Sequence, residues 1–224
     1  MIDILGFGQM IKNLSPADSD KKITKWIGIV KKICGELNIK NYQLISDTLF
    51  IGVGKNKSDL NTLVEASRQL LSTCIAASIP IRGAISFGDY TWSSDLVYGK
   101  AVILAHELEM NQEWVGISCT SGIAIPEHCE NLICYAIPFK NGPNRMGAVV
   151  VWDVPSYEEL VRYLSKGGLA KSDEPLTAEW FSRVEKTILF SMYIKIAKKM
   201  EWSNLTFGGF SPLHSISKYF EEIL

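Results

Sequence analysis

The sequence predicts an α/β fold of the ferredoxin-like, split βαβ type, followed by a helical extension. Segments with strand-like and helical patterns follow one another in the order β-α-β-β-α-β, which is the split βαβ arrangement, and a further α-β-β-β run comes after it. The composition then shifts after Asp153-Val-Pro155. Residues 1–153 therefore form the predicted α/β domain, and residues 154–224 form a helical extension that we expect to pack on it.

The elements of the first domain follow from the spacing of apolar residues, which recur at every second position in strands and at every third or fourth in helices. The predicted strands cover residues 1–6, 42–45, 48–53, 80–88, 114–117, 132–137 and 146–152. The predicted helices cover about residues 17–38, residues 60–75 with Ser58 as the N-cap, and residues 100–110.

The extension is predicted to contain helices. A capping box at Ser156-Tyr-Glu-Glu159 opens the first of them. A long amphipathic helix covers residues 177–200, and a short helix is expected at 215–223. The expected inward face of the long helix consists of Trp180, Phe181, Val184, Ile188, Leu189, Met192 and Ile196.

Composition excludes several classes of protein. With 23 basic and 24 acidic residues among 224, the net charge is −1, so no overall field attracts nucleic acid or anionic lipid. The 5 cysteines are odd in number and form no CxxC pair, which argues against a disulfide framework or zinc ribbon and favours the cytoplasm. We see no signal peptide and no segment that could span a membrane, and the three histidines are scattered.

Two aspartates are the strongest candidates for chemistry. Asp3 lies on the first strand, and Asp47 lies at the turn between the second and third strands. The first and third strands are neighbours in a split βαβ sheet, so the two carboxylates meet at one end of it. Carboxylates at close range repel unless a cation lies between them, and Mg²⁺ or Mn²⁺ takes such ligands, in this case at a two-metal site. The alternative is that both are ordinary turn residues.

Four short segments then occur in a fixed order. They are Asp-Ile-Leu-Gly-Phe at 3–7, Ser-Asp-Thr-Leu-Phe-Ile at 46–51, Ile-Arg-Gly-Ala-Ile-Ser-Phe-Gly at 81–88, and Tyr-Gly-Lys-Ala-Val-Ile-Leu-Ala-His-Glu-Leu-Glu at 98–109. In this order they resemble the class III nucleotidyl cyclase domain over about residues 1–153. The resemblance is strongest to the pyrimidine cyclases of the Pycsar antiphage system.

The resemblance implies a homodimer with active sites at the subunit interface. Asp3 and Asp47 match the two metal aspartates of the family, and Ile4 is included in the implied metal site. In the implied reaction, the 3′-hydroxyl of a nucleoside triphosphate attacks its own α-phosphate, which gives a 3′,5′-cyclic nucleotide and pyrophosphate.

Candidate triphosphate ligands come from three places. Lys140 lies where the family places a triphosphate lysine, and Lys100 opens a predicted helix, whose N-terminus suits phosphate. Backbone N–H groups at Gly6 and Phe7 could form a phosphate cradle after Asp3. The alternatives are solvated surface lysines and a simple tight turn. For Arg82 we expect a structural pair with an acid such as Glu107 or Glu109.

The sequence departs from the purine cyclases at four positions. The family's transition-state Asn and Arg fall on Ile103 and Glu107, and neither side chain can donate to a phosphate. The purine-reading lysine falls on Gln43, and its partner falls on Leu96. We therefore expect a pyrimidine substrate.

Two residues are candidates for contacting the pyrimidine base. The amide of Gln43 supplies a donor and an acceptor for a pyrimidine edge, and Tyr42 could stack or form a hydrogen bond. The alternative is that both are ordinary strand residues.

Taken together, the expectation is a cyclase that uses UTP in preference to CTP and signals to a separate effector protein. No nucleic-acid or membrane partner is expected. The alternatives are a purine cyclase with unusual base contacts, and an inactive cyclase fold that binds nucleotide or a partner as a signalling scaffold.

Overall fold

The computed structural model describes residues 1–54, 56–93, 95–121, 123, 131–167 and 177–199. They form a mixed sheet with helices on both faces. The strands are β1 (Ile2–Ile4), β2 (Asn41–Ile45), β3 (Thr48–Gly52), β4 (Ile81–Ile85), β5 (Thr91–Trp92), β6 (Val97–Tyr98), β7 (Gly116–Cys119), β8 (Leu132–Ile137) and β9 (Arg145–Val150). The helices are α1 (Phe7–Asn13), α2 (Pro16–Glu36), α3 (Lys57–Ala76), α4 (Lys100–Asn111), α5 (Tyr157–Gly167) and α6 (Ala178–Lys199).

The strand order of the main sheet is β2-β3-β1-β4-β7-β9-β8. Its first four strands are antiparallel, and Ile2 of β1 pairs with both Leu49 of β3 and Gly83 of β4. This is the ferredoxin-like order, so the predicted fold class is confirmed. Strand β7 then pairs in parallel with β4 and carries β9 and β8, which extends the sheet.

Helices cover the sheet on both faces. Along β4, the side chains of Arg82 and Ser86 bond to Glu109 and Ala101 of α4. Because side chains alternate along a strand, Ile81 and Ile85 point to the other face, against which α3 packs. Helix α2 lies beside α3 and begins after the N-cap Ser15, whose hydroxyl accepts from the Asp18 amide at 3.2 Å.

Three local features differ from what the sequence indicated. The residues after Gly6 form helix α1 rather than a simple turn, with Gly6 as N-cap at a φ of 73°. Helix α3 is capped at Asn56 instead of Ser58, and the Asn56 amide donates to Asp59 Oδ2 at 3.2 Å. The hairpin of β5 and β6 was not predicted, because strands of two residues are too short to show alternation.

Helices α5 and α6 join the same hydrophobic core as the sheet. Phe190 and Tyr193 of α6 pack on Tyr135 of β8, and the Thr187 hydroxyl accepts from the Val115 amide at 2.9 Å. No described helix is long and apolar enough to cross a membrane. The helix expected at 215–223 lies outside the described residues.

The expected inward face of α6 is partly wrong. Trp180 and Val184 are buried as predicted, but Phe181 and Leu189 are 62% and 51% exposed, while Phe190 is fully buried. The apolar residues of α6 surround the helix, so periodicity alone could not locate its buried side.

The two phenylalanines of α6 provide a matched test of this packing. We expect Phe190→Ala to lower the free energy of unfolding by about 3–5 kcal/mol, because it opens a cavity among the aromatic rings. Phe181→Ala should change it by less than about 1 kcal/mol. Urea unfolding of both variants measures the difference, and equal losses would contradict the described orientation of α6.

Candidate active site

The two predicted aspartates lie at one end of the sheet, on the face that carries α4. Asp3 lies on β1 between β3 and β4, and its Oδ1 accepts a hydrogen bond from Thr48 Oγ1 at 2.9 Å. Asp47 immediately precedes Thr48 in the two-residue loop of the β2–β3 hairpin, where Ser46 Oγ donates to Asp47 Oδ1 at 2.9 Å. Thr48 was not among the predicted site residues, although its place beside Asp47 was a signal.

Burial and mutual repulsion disfavour the charged form of Asp3 beside Asp47. Burial, followed by the neighbouring charge of Asp47, raises the pKa of Asp3 from 3.8 to about 7. Among the described residues, no lysine or arginine is a cause of this shift. The site therefore brings two carboxyl groups together, and none of the described residues supplies a cation that lowers the pKa of Asp3.

Arg82, the basic residue opposite Asp3 on the neighbouring strand, bonds to other groups. Arg82 pairs with Asp3 in the β1–β4 register, yet its Nε donates to Glu109 Oε1 at 2.7 Å and its Nη1 donates to the Gln112 carbonyl at 2.8 Å. Both members of this ion pair are buried. Arg82 thus has the structural partner expected from the sequence, and it leaves Asp3 without a counter-charge.

Oxygen ligands at this position suit Mg²⁺ or Mn²⁺. Among the described residues, no group of three or more His, Cys, Asp or Glu side chains could hold a metal ion, so Asp3 and Asp47 would need further ligands. The Met1 carbonyl accepts from Ala84 of β4, so strand alternation turns the Ile4 carbonyl toward β3, on the side of Asp47. The donor chemistry of these three residues fits a divalent cation.

Gly6 and Phe7 follow β1 after one intervening residue. Gly6 is the N-cap of α1 and its carbonyl accepts from the Met10 amide at 3.0 Å, while Phe7 packs partly against the core. The first backbone N–H groups of α1 therefore lie close in sequence to Asp3.

The candidate base residues lie on opposite faces of β2. Gln43 pairs with Phe50 of β3 and shares the face of Asp3, and its Oε1 is buried with no hydrogen-bond partner among the described residues. Tyr42 pairs with Ile51, points to the other face and packs against the core. The structure therefore does not bring these two side chains together.

The remaining candidates lie on the hairpin and on α4. Leu96 is exposed near the β5–β6 turn, and Ile103 and Glu107 lie on the exposed side of α4. Lys100 is the first residue of α4 and is exposed. It lies about 14 Å along the helix axis from Glu109, and hence far from Arg82 and the end of the sheet that holds Asp3.

Lys140 follows β8 and lies near the other end of α4. Its amide donates to the Asn111 carbonyl at 2.8 Å, and burial lowers the pKa of its ammonium. The charges that act on it are Arg82, Arg183, Glu113 and Glu109. Asp3 and Asp47 are not among these charges, so one chain does not place Lys140 against the aspartates.

Several large apolar side chains on α4 and on the segments that precede it are exposed, and we call them the α4 patch. Its members are between 47% and 62% exposed, and they are Phe87, Leu96, Tyr98, Ile103 and Met110. Other exposed apolar side chains lie elsewhere, three of them on α6.

Three solved structures are similar to this chain. Two are of a bacterial light-regulated adenylyl cyclase: one has 16% identity, covers 74% of this chain and 94% of its own, and has a TM-score of 0.47. The other has 15% identity, covers 77% of this chain and 55% of its own, and has a TM-score of 0.48. The third is the adenylyl cyclase CyaB from P. aeruginosa. It has 16% identity, covers 69% of this chain and 92% of its own, and has a TM-score of 0.45. No protein-family model and no curated protein matches the sequence.

The raised pKa of Asp3 predicts how stability varies with pH when divalent cations are chelated. Between pH 3.8 and about 7 Asp3 holds more protons in the folded chain than in the unfolded chain, so its contribution to the free energy of unfolding falls as pH rises. Asp3→Asn should remove this fall and raise the Tm at pH 8 by about 2–4 °C.

Thermal unfolding in EDTA between pH 4 and 8 measures the effect. Asp20→Asn, which alters an exposed acid on α2, is the matched control and should follow the parent chain. An Asp3→Asn variant with the pH dependence of the parent would contradict the electrostatics described for this site.

Proposed function

We propose that this chain is a nucleotidyl cyclase that converts a pyrimidine nucleoside triphosphate to its 3′,5′-cyclic monophosphate and pyrophosphate. A bond forms between O3′ and the α-phosphorus, the bond from that phosphorus to the bridging oxygen breaks, and the hydroxyl proton is released. The observation that carries the proposal is the meeting of Asp3 and Asp47, with no cation among the described residues to balance them. The four sequence segments from residue 3 to residue 109 support it.

Asp3, Asp47 and the Ile4 carbonyl are the residues that would hold Mg²⁺ or Mn²⁺. A divalent cation, or a pair of them, supplies charge that stabilises the attacking oxygen and the leaving pyrophosphate. Thr48 holds the Asp3 carboxylate in place through its hydroxyl at 2.9 Å. The hairpin loop then fixes Asp47, because Ser46 bonds to its carboxylate.

The triphosphate would be bound by Lys140, Lys100 and the backbone N–H groups at Gly6 and Phe7. The lysines contribute charge, and the amides at the start of α1 contribute donors beside Asp3. Neither lysine lies against the aspartates of its own chain, which favours contributions from two copies.

The base would be read by Gln43. Its unpartnered, buried Oε1 can accept a hydrogen bond, and its Nε2 can donate one, which matches the mixed edge of uracil or cytosine. Leu96 would contact the base from the hairpin. Tyr42 lies on the other face of β2, so in this proposal it supports the strand rather than the base. We favour UTP over CTP.

A homodimer would complete the site. The α4 patch would supply the apolar surface for the dimer. Its member Ile103 occupies the position at which a purine cyclase would carry a polar residue. In the systems that the sequence resembles, the cyclic nucleotide activates a separate effector, so we propose the same second-messenger role in antiphage defence here.

Turnover with ATP, GTP, CTP and UTP in separate reactions, each with Mn²⁺, tests the activity. We expect cyclic UMP as the main product, identified by mass. Asp3→Ala and Asp47→Ala should each lower the rate by more than about a hundredfold, because they remove charge stabilisation of the transition state. Asp20→Ala is the control and should keep the parent rate.

The other outcomes separate the alternatives. A purine product would overturn the base assignment and leave the cyclase activity standing. A folded protein that turns over none of the four nucleotides would overturn the enzymatic proposal in favour of an inactive scaffold. Ile103 and Glu107 favour that second candidate, since neither side chain stabilises a developing phosphate charge.

The dimer is tested by a charge placed in the α4 patch. We expect Ile103→Glu to convert the dimer to a monomer and to abolish turnover, because it would bury an unpaired carboxylate at the interface. Phe181→Glu introduces the same charge at an exposed position of α6 and should leave the dimer intact. Light scattering after size exclusion measures the mass, and an Ile103→Glu variant that stays dimeric would contradict this interface.

A further inference from the structure

Lys140 lies on a short antiparallel bridge between two loops. The bridge pairs Gln112, which follows α4, with Phe139, which follows β8. The Lys140 amide donates to the Asn111 carbonyl at 2.8 Å, and the Glu113 amide forms the second hydrogen bond of the bridge at 2.9 Å. Side chains two positions apart share one side of an extended segment, so Glu113 and Lys140 are diagonal neighbours on the same side.

Two acids act on the charge of Lys140, and arginines already hold both of them. The acids are Glu113 and Glu109. Arg183 of α6 donates from its Nε to Glu113 Oε1 at 2.9 Å, and these two side chains are only 12% and 10% exposed. Arg82 holds the fully buried Glu109 in the ion pair already described. Each acid therefore bonds to a guanidinium instead of to the lysine.

The Lys140 ammonium forms no hydrogen bond or ion pair with the part of the chain that the structure describes. The residue is exposed. Burial of part of its side chain, followed by repulsion from Arg82 and Arg183, lowers the pKa of the ammonium. A bound phosphate oxygen would stabilise this charge, because a charge-assisted hydrogen bond to an anion is stronger than one to water.

We propose that Arg183 is a positioning residue for the triphosphate of the substrate. By holding the Glu113 carboxylate, Arg183 keeps this acid away from Lys140 and leaves the ammonium to the phosphate oxygens. The inference rests on the proposed function for the identity of the ligand. It gives α6 an effect on phosphate binding. The alternative is that Arg183 only anchors α6, as Thr187 does through the Val115 amide.

The probe is inorganic triphosphate, titrated into the full chain in EDTA at low ionic strength, and calorimetry measures the Kd. We expect saturable binding to the parent chain and weaker binding to Lys140→Gln. Arg183→Gln should raise the Kd by about tenfold, because the freed Glu113 carboxylate then pairs with Lys140. Arg183→Lys keeps the ion pair and should bind nearly as the parent does. The matched control is Arg162→Gln, which removes an arginine near Glu159 on α5 and should keep the parent Kd.

Variants of Glu113 separate the positioning role from anchoring. Glu113→Gln breaks the same ion pair but removes the competing acid, so it should not weaken binding, and its combination with Arg183→Gln should restore the parent Kd. In a Lys140→Gln background, Arg183→Gln should have no further effect. If Arg183 only anchors α6, then Glu113→Gln weakens binding as Arg183→Gln does and the double variant stays weak, and either result would overturn the inference.

A parent chain that does not bind triphosphate would also overturn the inference, since an acid elsewhere in the chain would then occupy Lys140. Turnover separates this result from a failure of the proposed function. Triphosphate binding in the expected order without any cyclic nucleotide would overturn the cyclase activity and keep the role of Arg183 in anion binding. Cyclic nucleotide formation with the same KM in the parent and in Arg183→Gln would keep the activity and overturn the role of Arg183.

Discussion

The structure depends on the position of β1 at the centre of its four antiparallel strands. Three residues pair with β4, and Ile2 pairs with β3 as well, so β1 joins two halves of the sheet that would otherwise not touch. Ile2 and Ile4 are buried on the side of the core, and Asp3 between them must point to the opposite face. The same alternation that secures the strand therefore places a carboxylate beside the β2–β3 hairpin.

The buried ion pair of Arg82 and Glu109 also affects the Asp3 carboxylate. A guanidinium next to Asp3 would neutralise it, but the two bonds to Glu109 and the Gln112 carbonyl direct Arg82 toward α4. Separating such a buried pair leaves a charge without a partner, which is strongly unfavourable. The pair thus anchors α4 to β4 and leaves the Asp3 and Asp47 carboxyl groups without this guanidinium as a counter-charge.

Several features converge on the face of the sheet that carries α4. Asp3, Asp47 and Gln43 share this face, and the α4 patch lies beside the same helix. The described residues do not place Lys140 among the charges that act on Asp3, or the reverse.

The sequence by itself determined the order of the main elements, the pairing of the strands in a ferredoxin-like sheet, and the meeting of Asp3 with Asp47. Local periodicity and topology carry that information, because strand neighbours follow from the split βαβ order. Tertiary structure alone decided which side of α6 is buried, because apolar residues surround that helix. Phe190 is buried because it packs on Tyr135, whereas Phe181 is exposed. It also decided that Glu109, and not Glu107, is the partner of Arg82. Those outcomes depend on contacts between residues distant in sequence, which no pattern along the chain encodes.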